Sequence, residues 1–123
     1  MGILNNLVIL SGNVGKDPDV KYLDNGTVLA NFPLATTESW KDRSGEWQER
    51  TTWHNLSCWG DLAKKAELLV KKGIRMSVHG KLANDSWDDK EGVKHYKTYV
   101  AIQEFEILAL QPRNVQTDDM GSL

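Results

Sequence analysis

Residues 51–73 read TTWHNLSCWGDLAKKAELLVKKG, and a change of period inside this stretch decides the fold. Up to Trp59 the side chains alternate. Trp53, Asn55, Ser57 and Trp59 share one face of an extended strand, and His54, Leu56 and Cys58 share the other. After Gly60 the repeat lengthens to helical spacing. Asp61 to Lys72 predicts an amphipathic helix with Leu62, Ala66, Leu69 and Val70 on its apolar stripe. Lys71 and Lys72 fall in the last turn, and Gly73 stands just past the end. No other segment makes a good helix.

The rest of the chain extends this reading outward. Residues 46–59 return from a polar loop, Lys41-Asp42-Arg43-Ser44-Gly45, that closes a hairpin with a strand over 28–40. In that strand Val28, Ala30, Phe32, Leu34 and Thr36 share one parity. Before it, Val20 and Tyr22 alternate into the turn Asp24-Asn25-Gly26, and Asp17-Pro18 breaks the chain. Residues 4–14 (LNNLVILSGNV) hold a continuous apolar run from Leu7 to Leu10. The run predicts a strand buried on both faces and stopped by Gly12 and Gly15. After the helix, Met76, Val78, Gly80 and Leu82 share parity in a fourth strand that runs toward Trp87. Asp88-Asp89-Lys90-Glu91-Gly92 makes a second hairpin loop, and 94–110 a fifth strand with Tyr96, Thr98, Val100 and Ile102 alternating. Three strands, one helix and two strands predict an all-β domain with one short helix. That is the OB-fold, a five-stranded Greek-key barrel with the helix between strands 3 and 4. It is expected over 1–111, and a short polar tail over 112–123.

The chain has 123 residues, one cysteine and a formal net charge of −2, with 26% charged residues. These values describe a soluble single domain with no run long enough for a membrane span. Cys58 alone excludes an internal disulfide, fits a reducing cytoplasm, and reads as a small core residue. The N-terminus carries no secretory-leader pattern. The unusual feature is five tryptophans: Trp40, Trp47, Trp53, Trp59 and Trp87. Their neighbours are polar or charged, as in Ser39-Trp40-Lys41, Glu46-Trp47-Gln48 and Ser86-Trp87-Asp88. One such residue is an ordinary half-buried sheet position. Five suggest flat aromatic faces held near solvent, which unpaired bases can stack upon whatever their identity. Trp53 and Trp59 lie roughly 20 Å apart along their strand, separated by small polar side chains, which is a platform with gaps.

The blocks ILSGNVGKDPDVKY (9–22), NGT (25–27), ANFPLATTESW (30–40), TTWHNLSCWGDLA (51–63), KKG (71–73) and VHGKL (78–82) follow in order, through Trp87 into the DDKEG hairpin. In these the chain resembles the bacterial single-stranded DNA-binding protein (SSB) family from Leu7 to about Leu110. The resemblance implies an OB fold and a homotetramer, a dimer of dimers. It also implies sequence-independent coating of exposed single strands in DNA replication, recombination and repair, in the cytoplasm with the nucleoid. The family's stacking aromatics fall on Trp40, Trp53, Trp59 and Trp87. Trp47 is not a usual family position; it either extends the platform or braces the first hairpin. His54 falls where the family approaches a subunit interface, or is a satisfied half-buried histidine. Leu7 and Ile9 on the first strand join it as interface candidates.

Candidate phosphate ligands are Lys21, Lys41, Arg43, Lys72, Arg75, Lys81 and Lys97. The chain departs from the family where basic residues usually precede the last tryptophan: here Asn84-Asp85-Ser86 stands instead. Asp61 and Asn55 likewise replace residues that are commonly Lys and Arg. Stacking is therefore expected to outweigh phosphate neutralisation. The family's Asp-rich ending with Pro-Phe, which recruits replication and repair enzymes, does not appear in Thr117-Asp118-Asp119-Met120-Gly121-Ser122-Leu123. A primosomal-type OB adaptor acting mainly through protein partners is the alternative. An oligosaccharide-binding barrel would explain the aromatics but not the other matching blocks. No nucleophile elbow, P-loop, HExxH or Cys-pair motif is present, so no enzyme, metal or cofactor is expected.

Overall fold

The computed structural model of the chain describes residues 5–109. It contains β1 (Val8–Val14), β2 (Asp19–Tyr22), β3 (Val28–Lys41), β4 (Trp47–Trp59), α1 (Asp61–Leu69), β5 (Arg75–Asp88) and β6 (Lys94–Ala109). The sheet order is β1-β5-β6-β4-β3-β2, and a further pairing of β1 with β3 closes five strands into a barrel. The OB architecture is as expected. The strand count differs, because residues 19–22 pair with the start of β3 from Asp19 opposite Asn31 to Tyr22 opposite Val28. The helix thus lies between the fourth and fifth strands in chain order. The expected tail, residues 112–123, lies outside the described residues.

Alternation in β3 and β4 builds the core. Val28, Ala30, Phe32 and Leu34 point inward with Leu56 and Cys58 opposite them, all at most 4% exposed. Cys58 is fully buried, and burial pushes its thiol up to about 11, which makes it an inert core side chain.

The helix is shorter than its sequence pattern. It ends at Leu69, because Val70 turns extended (φ −89°, ψ 127°) to drop a fully buried side chain into the core. Its N–H still reaches the Ala66 carbonyl at 2.8 Å. Lys71 and Lys72 therefore leave the helix, and Gly73 (φ 91°) serves a turn in which Ile74 N–H donates to the Lys71 carbonyl. The buried helix residues are Ala63 and Ala66, whereas Leu69 is 44% exposed. The two alanines face the barrel at close range, with Leu62 partly buried against the core beside them.

The first strand also departs from expectation. It runs through Gly12 to Val14, and it is not buried on both faces: Val8 and Leu10 pack on the core, but Leu7 and Ile9 stand exposed. Gly12 is no stop signal. A Cβ there would lie 2.0 Å from the Ala35 carbonyl oxygen, so glycine is what lets β1 close onto β3. Gly80 plays the same part between β5 and β6, where a Cβ would lie 2.1 Å from the Ala101 oxygen. Next to it the ladder slips: His79 faces Glu104 while Gly80 faces Ile102, leaving Gln103 as the extra residue. The bulge reverses the parity of β6, and Phe105 joins Val100 and Ile102 in the core.

Candidate nucleic-acid interface

Two hairpin arms project from the barrel, β3–β4 with its tip at 42–46 and β5–β6 with its tip at 89–93. Because β3 and β4 send their even residues inward, their odd residues form the outer face. Trp53 lies opposite Ala35, Asn55 opposite Pro33, Ser57 opposite Asn31 and Trp59 opposite Leu29. Parallel pairing carries this face across to β6, with Ser57 beside Ala101, and antiparallel pairing carries it on to Lys81 in β5. The same rung begins at Asp19, so one row of outward residues crosses five strands.

Trp53 is 59% exposed and its position is fixed by an absence. A Cβ on Gly15 would lie 2.4 Å from Trp53 Cζ3, so the indole edge rests on bare backbone. That backbone is itself held, since Gly15 N–H donates to the Pro33 carbonyl at 3.0 Å. Gly15, Lys16, Pro33, Trp53, Asn55 and Lys97 line a groove of about 440 Å³, which is in the size class of small-ligand clefts. Its lining is largely apolar but includes one polar pair, in which the Ser57 hydroxyl donates to Asn31 Oδ1 at 2.5 Å. Trp59 borders the next section, with Tyr99 tilted beside it at a centroid separation of 6.2 Å. The Tyr99 hydroxyl donates to Asp85 Oδ1 at 3.3 Å, and desolvation together with that carboxylate raises its pKa.

The five tryptophans are all at least 41% exposed, but they do not share one face. Trp47 lies opposite Lys41, whose ammonium sits 5.7 Å from the indole centroid, on the outer face with Trp53 and Trp59. Trp40 lies opposite Gln48 and carries the even parity of the inward set. It occupies the other face of the arm, with the Arg50 guanidinium 5.5 Å from its ring centroid. Trp87 is on the outward face of β5, paired with His95.

The candidate cations divide similarly. Lys97 lines the Trp53 groove, Lys81 ends the row through Ser57, and Lys21 lies in the rung of Leu29 and Trp59. Arg43 is at the tip of the first arm. Lys72 and Arg75 are elsewhere. Lys72 sits in the turn after α1, its N–H bonded to Asp17 Oδ1, and Arg75 donates to Asn13 Oδ1 at 3.2 Å. Arg75 begins the strand whose far end holds Trp87, about 40 Å away in strand rise. His54 accepts or donates a 2.9 Å hydrogen bond with Thr36 Oγ1 on the inward face. Lys16, Arg50 and Tyr99 escaped the sequence reading. Arg50 follows from the hairpin register once Trp40 is placed, and Tyr99 belongs to the odd parity of β6, hidden behind the more regular even set.

Each arm tip is held by an aspartate. Asp42 accepts from the backbone of Ser44 and Glu46, and Asp89 from Glu91 and Val93. Both carboxyls are held below the ordinary carboxylate range, Asp42 chiefly by the Glu46 N–H and Asp89 chiefly by His95. A lowered folded pKa means that these tips gain stability above the unfolded carboxylate range and lose it as pH falls through the folded value.

The model for the single-strand binding protein family matches residues 5–108, which is nearly all of the described chain. The chain belongs to the single-strand binding protein family. Among solved structures it is similar to a Plasmodium falciparum SSB in complex with ssDNA, at 28% identity and a TM-score of 0.75. That match covers 89% of this chain and 96% of the Plasmodium one. It is also similar to a deletion mutant of the single-stranded DNA-binding protein from Thermus aquaticus, at 25% identity and a TM-score of 0.76. There the match covers 87% of this chain and 52% of the other, so the chain spans about half the length of the Thermus protein. In this member of the single-strand binding protein family the four aromatic positions named by resemblance are Trp40, Trp53, Trp59 and Trp87, and the structure places three of them on connected outward faces.

Proposed function

We propose that this chain binds single-stranded DNA without reading sequence, coating exposed strands in replication, recombination and repair, in the cytoplasm with the nucleoid. The observation that carries this reading is the outward row of Trp53 and Trp59, separated by Asn55 and Ser57 and flanked by Lys97, Lys81 and Lys21. Indoles there meet bases by stacking, and the lysines meet the backbone between them. The role is binding and not catalysis. The domain spans 1–111 in this proposal, with 112–123 as a tail. Assembly as a homotetramer is supported by β1, which pairs with β3 only at Asn13 and Val14. Among the described residues the β3-facing edge of Val8–Gly12 has no strand partner, and Leu7 and Ile9 are exposed beside it. His54, by contrast, already has Thr36 as its partner.

The direct test is quenching of tryptophan fluorescence by a dT oligonucleotide at low and high salt. Saturable quenching that persists at high salt is expected. Each phosphate contact contributes roughly −0.7 to the slope of log K against log salt, so a shallow slope marks few contacts. Weak quenching that disappears with salt would move the adaptor reading to the front.

Asp85 is the clearest opposing charge on this face. It lies opposite Lys97 and holds the Tyr99 hydroxyl. Asp85→Asn is expected to tighten binding by about three- to fivefold at low salt, with the gain shrinking as salt screens it. Unchanged affinity at low salt would place the DNA path away from β5.

A further inference from the structure

The two arms are closed by one device with a single chemical difference. In the first, Asp42 Oδ1 accepts the N–H groups of Ser44 (2.9 Å) and Glu46 (3.0 Å), Gly45 has φ 83°, and Oδ2 accepts from Gln48 Nε2 at 2.9 Å. In the second, Asp89 Oδ1 accepts the N–H groups of Glu91 (2.9 Å) and Val93 (2.9 Å), Gly92 has φ 82°, and Oδ2 meets His95 Nε2 at 2.8 Å. Residue for residue the offsets are the same. An amide occupies the sixth position after the aspartate in one arm, and an imidazole in the other.

That substitution falls on the DNA face. His95 is directly opposite Trp87, with ring centroids 5.6 Å apart and planes inclined by 20°, so it covers one side of the indole and leaves the other for a base. Asp89 is ionised and can only accept, hence Nε2 carries the hydrogen and the second proton is taken at Nδ1. The charged groups nearest the ring are Asp89 itself, Asp88 and Lys94 on the adjoining rung, and Asp85 and Lys97 one pleat along the same face.

We propose that His95 positions Trp87 for stacking and, when protonated, adds a phosphate-binding cation to the second arm. Single-stranded DNA then binds more tightly as pH falls through the histidine range. The proposal rests on the single-stranded DNA reading of this face. The first arm, capped by Gln48, is insensitive to the same change.

The test is anisotropy of a labelled dT oligonucleotide at about pH 8 and about pH 5.5, the range in which histidine changes charge. Wild type is compared with His95→Gln, which copies Gln48, and with His95→Ala. Wild type should gain about three- to tenfold more affinity on acidification than His95→Gln, and its salt slope at the lower pH should be steeper by about 0.7. His95→Gln should bind more tightly than His95→Ala at both pH values, because the amide still reaches Asp89. His54 and His79 are unchanged in all three proteins, so whatever they contribute is common to the comparison. Equal acid gains in wild type and His95→Gln overturn the proposal, as does equal binding by the Gln and Ala variants. Failure of the wild type to bind dT at either pH removes the DNA-binding reading itself, and this proposal with it.

Discussion

Replacing Trp53 and Trp59 together by alanine is expected to weaken binding of a dT oligonucleotide by at least about thirtyfold, and by much more if each indole stacks a full base. Base–aromatic stacking is worth about 1–3 kcal/mol per base, and a tenfold change in affinity corresponds to about 1.4 kcal/mol. Both rings stand on the outer face outside the buried core, so the barrel should still fold cooperatively, with only a modest drop in melting temperature from the lost Trp53–Gly15 and Trp59–Tyr99 contacts. The loss should also be nearly independent of salt, because no phosphate contact is removed. Anisotropy titrations at two salt concentrations read both quantities. Retained affinity would mean that DNA follows the Trp40–Arg50 face instead. A variant that loses DNA yet keeps a protein partner would instead fit an adaptor.

Gly12→Ala should, like Gly80→Ala, rank with the most damaging small substitutions among the described residues. The added methyl would sit 2.0 Å from the Ala35 carbonyl oxygen and 2.9 Å from its carbon, and both belong to backbone that cannot rotate away. The clash falls beside the rungs that close the barrel, Asn13 with Ala35 and Val14 with Leu34. Either the seam opens or β3 shifts with its partner β4. A loss of about 3 kcal/mol is expected, with a melting temperature lower by on the order of 15 °C for a domain of this size. Ser11→Ala on the same strand, where the side chain is exposed, is the control and should cost under about 1.5 kcal/mol. An unchanged melting temperature in Gly12→Ala would mean that the strands do not close there.

The parts of this fold that could be read from the chain are those governed by local period. β3 and β4 are long, alternate where they cross the barrel wall in β3 and by side-chain type in β4, and meet through a short glycine-containing loop that leaves one register. The outward placement of Trp53 and Trp59 follows from that alone. What escaped depends on contacts between distant residues. The helix stops where Val70 finds the core, although Lys71, Lys72 and Gly73 look locally like its last turn. Phe105 points inward because of a bulge beside Gly80, where Ala101 comes too close for a side chain. Gly12 resembles a strand end in sequence although β1 runs through it, Gly15 does follow the strand's end, and each is a place where another part of the molecule comes too near for a side chain. Trp40 was grouped with the other tryptophans by residue type, while its parity already assigned it to the opposite face.

The resting place of the Trp53 ring has a consequence for how the domain responds to cargo. Gly15 follows immediately on the two rungs that join β1 to β3, so the clasp of the barrel and the wall of the binding groove are consecutive residues. A base pressed against the indole from outside pushes it toward that clasp. Whatever binds only the closed form adds RT ln(1 + [L]/Kd) to the stability of closure. On the single-stranded DNA reading, a ligand seated on Trp53 would favour the closed form at the point where two rungs and the Gly15–Pro33 hydrogen bond secure the seam. Loading and tightening would then be linked, and the DNA-free chain would melt at the lower temperature.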